Sequence, residues 1–219
     1  MSTQLRIAQV VDPFRRRRTA GDHAPNVARE LMGRGHHVRG FGSRGAIPRS
    51  GPDPELGGGS VDEGVGIQGF RPDVVVAYDP LSRAAWAAGR AARRHRVPLV
   101  LVEEGRTGVA GALERGKLWI GERLWGSGVR RRAGLVVALD GAAVEMAQEA
   151  GFEASRIVEL SSGVDLERYR PGLTSHLPGR HGVRGRILLC MQRLEQGVGL
   201  EQLIRAFAQS VGRRGDWSL

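Results

Sequence analysis

Cysteine and lysine are almost absent from these 219 residues: Cys190 and Lys117 stand alone. A single cysteine excludes an internal disulfide and favours a reducing compartment. Aromatic residues make up only 5%, and no stacking signature, helix-turn-helix or zinc-ligand spacing is visible, which argues against nucleic acid as a partner. No apolar run approaches the roughly 20 residues that span a bilayer. The first residues carry no charged leader followed by a long apolar run, so no secretory signal is expected. The expectation is a cytoplasmic protein, either free or peripheral at the inner face of the membrane.

What is abundant is arginine. The formal charge is +10, and with one lysine the excess is guanidinium. Two readings stand side by side: a coding bias that spreads arginine over solvated surface, and attraction to anionic lipid or nucleic acid. Hydrophobic residues at 41% and 33 glycines describe a globular chain rather than a disordered one.

Periodicity places the elements. Leu5 to Val11 reads as a buried strand ended by Asp12-Pro13. After a loop bearing Arg15 to Arg18, Asp22 is the expected cap of a helix with Pro25 in its first turn. Residues 36–41 form a second strand, and residues 42–66, rich in Gly, Pro and Ser, a surface loop. Residues 71–77 and 97–102 are further strands flanking an alanine-rich helix from about Ser82 to His95. The arginines at that helix's end are explained by its dipole. In residues 133–172, Leu135 to Leu139 is a buried strand, Asp140 a helix cap, Gly151 a helix stop and Ile157 to Leu160 a second strand. Strand, helix and strand joined by tight turns make a βαβ unit and hence a parallel sheet.

Residues 112–132, ALERGKLWIGERLWGSGVRRR, carry Leu and Trp among basic side chains. Such a segment is either a helix that covers the sheet or one that lies on an anionic membrane. Beyond Pro171, residues 173–185 read as a linker. Arg186 to Met191 reads as the first strand of a new unit, with Cys190 a buried thiol, followed by a helix containing Leu200, Leu203, Ile204 and Phe207.

This order, with Gly163-Val164-Asp165-Leu166-Glu167-Arg168-Tyr169-Arg170-Pro171 after the second βαβ strand, resembles family 4 glycosyltransferases of GT-B fold. The resemblance implies an α/β protein: a Rossmann-like acceptor-side domain over residues 1–172, with helices on both faces of a parallel sheet. A linker, 173–185, then leads to the truncated start of a donor-binding domain, 186–219. By the same resemblance Gly21 and Arg193 approach the donor diphosphate, and Glu104 occupies the acceptor-side position where the family often has His. Ser162, Gln192 and Val198 stand where the family has Asn, Gly and Lys. The implied activity is transfer of a sugar from a nucleotide-sugar to a hydroxyl acceptor (lipid, glycan or small molecule), with retention and without a resident metal or cofactor. The alternatives are a non-catalytic acceptor-binding subunit that pairs with a C-terminal-type chain, a peripheral membrane module acting through Ala112 to Arg132, and another GT-B enzyme such as a sugar epimerase.

Overall fold

The computed structural model describes residues 3–11, 20–42, 65–78, 80, 82–104, 126–167, 169–183, 185–191 and 199–219. The chain divides into two compact units, Met1–Gly163 and Val164–Leu219.

The first unit is built on strands β1 (Arg6–Val10), β2 (His37–Phe41), β3 (Val74–Tyr78), β4 (Leu99–Glu103), β5 (Ala133–Ala138) and β6 (Ile157–Glu159). They form one sheet in the order β2-β1-β3-β4-β5-β6, and every pairing is parallel. Parallel neighbours need crossovers, which the helices supply: α1 (Ala20–Gly33), α2 (Val65–Phe70), α3 (Arg83–His95), α4 (Ser127–Arg132) and α5 (Gly141–Glu149). The strand order reverses at β1, with β2 on one side and β3 on the other. Right-handed crossovers therefore send α1 to one face and the later helices to the other.

Side-chain alternation along the strands matches these two coats. Ala8 and Val10 of β1 join Val75, Ala77, Leu99, Leu101 and Val136 against Ile67 and Phe70 of α2, the alanines of α3 and Val129 of α4. Ile7 packs on the opposite face with Ala28 of α1 and Val38. Ala84, Ala85 and Ala88 are completely buried. Their small side chains let the α3 backbone lie close to the sheet.

The expected helix signals at Ser82 and Asp140 are present as hydrogen bonds. Ser82 Oγ accepts from the Ala85 amide at 3.0 Å, and Asp140 Oδ1 from the Ala143 amide at 2.7 Å. Each satisfies one donor of a first turn that has no carbonyl partner within the helix. Gly151, at φ 87°, ends the α5 segment as expected.

Asp22 is not a cap. Helix α1 begins two residues earlier, at Ala20, so Pro25 lies inside it. Ala20 has the highest helix propensity of any residue, and the cost of the extension is local: proline has no N–H to give to the Gly21 carbonyl. Helix α2 was not expected, since Val65 and Gly66 fall within the stretch assigned to a loop. Its Ile67 is completely buried and Phe70 nearly so, and the Phe70 ring lies 6.0 Å from that of Phe41. The Arg6 guanidinium donates to the Phe70 carbonyl at 2.6 Å and covers the Phe70 ring at 4.7 Å. Tertiary contacts, rather than the composition of VGIQGF, hold this helix. Of the basic segment 112–132, only α4 and Gly126 before it lie among the described residues.

In the second unit β7 (Arg186–Ile187) pairs in parallel with β8 (Trp217–Ser218) across α7 (Leu200–Ser210). A short helix, α6 (Leu177–Arg180), precedes them within the stretch read as a linker. The strand expected to run to Met191 covers two residues, which pair with Trp217 and Ser218. Cys190 is half-buried rather than in a core, and none of the described residues of this unit is fully buried. Gly185, at φ 77°, is required: a Cβ there would run into the Asp216 carbonyl. Among the described residues no helix is long and apolar enough to cross a membrane.

Replacing Asp140 by Ala should destabilise the first unit by about 1 kcal/mol through loss of the α5 cap. Urea denaturation followed by circular dichroism should show a lower midpoint with an unchanged slope.

Candidate functional site

In a parallel sheet all strands finish at one edge, and where the order reverses the flanking loops separate and leave a crevice. Here that edge gathers the ends of β1, β3, β4 and β5 with the first turn of α1. Gly21 is the second residue of α1, so its backbone lies in the turn where helix amides have no carbonyl partners and carry partial positive charge. Two strands over, at a spacing of about 5 Å per strand, β4 ends in Glu103 and is followed by Glu104.

The two carboxylates differ. Glu103 is buried, at 5% exposure, and pairs in register with Ala138 of β5. Its carbonyl accepts from the Leu139 amide at 2.9 Å. Glu104 lies just past the strand and is half-buried. The structure therefore brings Gly21 and Glu104 to the same sheet edge. Arg193 lies outside the described residues, as do Gln192 and Val198.

A polar pair that the sequence reading passed over lies beneath this edge. Tyr78 closes β3, Gln9 sits in β1, and both side chains are 2% exposed. The Gln9 amide Nε2 donates to the Tyr78 hydroxyl at 3.4 Å, across 69 positions of sequence. Tyr78 packs with Ala24 of α1, Val102 of β4 and Leu139. It therefore ties the first turns of α1 to the ends of β3 and β4. The available signal was the lone Gln in the otherwise apolar end of RIAQV. Burial penalises the charged phenolate and pushes the Tyr78 hydroxyl well above its ordinary range. No group of three or more His, Cys, Asp or Glu side chains among the described residues could hold a metal ion.

Residues 61–163, just under half of the chain, match the family described as the glycosyl transferase 4-like domain. Among solved structures, HepE of Anabaena with UDP and glucose is 19% identical at a TM-score of 0.66, over 94% of this chain and 58% of that one. MnaA of S. aureus with UDP is 18% identical at a TM-score of 0.56, over 97% and 61%. The UDP-N-acetylglucosamine 2-epimerase of Rickettsia bellii is 16% identical at a TM-score of 0.54, over 96% and 60%. This chain thus spans about three-fifths of the length of each. Among curated protein sequences none matches. The protein has a glycosyltransferase-like GT-B fold.

Because the folded phenol binds its proton more tightly than the unfolded one, Tyr78 contributes stability that is whole below pH about 10 and is lost as the pH rises from there towards the folded value. An alkaline absorbance titration of the wild type minus that of Tyr78→Phe should show a phenol step well above the ordinary range. A difference step at about pH 10 would contradict the buried environment.

Proposed function

We propose that the protein works in transfer of a sugar from a nucleotide-sugar to a hydroxyl acceptor, with Met1–Gly163 as the acceptor side. The observation that carries this reading is the match of residues 61–163 to a glycosyltransferase domain on a sheet whose carboxyl edge holds a half-buried carboxylate, Glu104. The UDP and glucose named for HepE favour a uridine diphosphate sugar as the donor to try first.

In this proposal Glu104 orients the acceptor hydroxyl at the carboxyl edge. The acceptor oxygen forms a bond to the anomeric carbon as the bond from that carbon to the diphosphate oxygen breaks. The acceptor proton passes to the Glu104 carboxylate or to the departing diphosphate. The first-turn amides at Gly21 offset the charge that grows on the leaving group. Attack from the face that the nucleotide leaves gives retention, and the family resemblance implies neither a resident metal nor a cofactor.

Glu104→Gln keeps the shape of the side chain and removes its capacity to accept a proton. With UDP-glucose and a panel of lipid, glycan and small hydroxyl acceptors, it should lower kcat about 100-fold with little change in donor KM. Unchanged kcat would remove Glu104 from the reaction. Conversion of the nucleotide-sugar to an isomer without release of UDP would instead favour an epimerase on the same fold.

A further inference from the structure

Helices in this fold run back against the strands, so α3 and α4 end at the edge opposite Glu104, where β4 and β5 begin. There Trp86, Arg90, Arg93, Arg94, Arg96 and Arg132 line a cleft of about 630 Å³. Five of the six side chains are guanidinium groups and none is acidic. The volume falls within the range of small-molecule sites.

The helix dipole explains part of this cluster and no more. A helix end carries about half a negative charge and favours cations in its last turn, which accounts for Arg93 and Arg94. Arg90 lies a turn upstream and stacks over the Trp86 ring at 4.9 Å. Arg132 arrives from α4, with Nη1 donating to the Gly128 carbonyl at 3.2 Å and its stem passing α3 at Gly89. Arg96 occupies the left-handed position that follows α3, at φ 56°, where glycine is the favoured residue. Among the described residues Arg93, Arg94 and Arg96 have no carboxylate partner. Converging like charges repel one another, and an anion in the cleft would relieve that repulsion.

We propose that this cleft binds an anionic ligand through its phosphate groups. Guanidinium forks match phosphoryl oxygens two at a time, and the Trp86 ring offers an apolar wall for whatever the phosphate is attached to. Two sources carry this chemistry, a soluble polyphosphate group and an anionic phospholipid headgroup. The site lies at the amino edge of the sheet, so its occupant does not compete with ligands at the carboxyl edge.

The test uses the full chain, tripolyphosphate in solution, and vesicles of phosphatidylcholine with or without phosphatidylglycerol. Arg93→Ser combined with Arg94→Ser removes two charges from the cleft, and Arg213→Ser combined with Arg214→Ser removes two exposed ones from the second unit. Saturable tripolyphosphate binding, weakened at least about tenfold by the first pair and little by the second, supports the site with a soluble ligand. Flotation with phosphatidylglycerol vesicles alone, lost in the first pair and kept in the second, supports it with a lipid headgroup. Absence of binding in both arms, or equal losses in the two double variants, overturns the proposal. Melting curves establish that each variant is folded, and Arg94→Ser alone replaces the first pair if that pair does not fold.

Discussion

Parallel strand pairing is the constraint on which the rest of the first unit depends. Once β1, β3, β4 and β5 pair in parallel, no tight hairpin can join them and every connection must return along a face of the sheet. The return helices need apolar faces, which makes the sheet a two-coated layer with nearly continuous apolar strands. The same constraint gathers every strand end, with its polar residues, at one edge. Gln9 and Tyr78 are buried together just below that edge, and in the strand beside them Glu103 is the last residue, with Glu104 following it. In open parallel sheets this is the edge where a crevice for ligands forms.

The opposite edge follows from the same rule read backwards. Each helix ends where the next strand begins, so the closing turns of α3 and α4 are neighbours, and the arginines they carry meet although more than 30 positions separate Arg96 from Arg132. Helix-end electrostatics accounts for two of the arginines. The cleft as a whole is a product of topology.

How much was legible in the sequence depended on how local each signal was. The β5–α5–β6 unit could be read almost whole because Asp140, the apolar run before it and Gly151 act within a few residues. Ser82 and the alanine-rich α3 were legible for the same reason. Helix α2 was not, because VGIQGF has two glycines in six residues and owes its form to Phe41, Arg6 and the sheet. The start of α1 was misplaced because Asp22 and Pro25 resemble an opening signal that the extended helix overrides. An apolar strand pattern predicts a core thiol at Cys190, yet the strand ends at Ile187 and Cys190 is half-buried beyond it. The candidate site divided in the same way. Glu104 could be found as a carboxylate after an apolar strand, whereas the Gln9–Tyr78 pair joins two strands far apart in sequence. Gly21 and Arg193 are suggested by the family resemblance alone: Gly21 lies in the first turn of α1, and Arg193 lies outside the described residues.

The account's central claim is that nucleotide-sugar chemistry belongs to the carboxyl edge. Amide hydrogen exchange of the protein with and without UDP-glucose tests it most directly. The prediction is slowed exchange in the first turns of α1 and in the residues that close β3 and β4, with no change at the end of α3. Protection confined to the amino edge, around Arg93 to Arg96, would contradict the account and move the nucleotide site to the other side of the sheet.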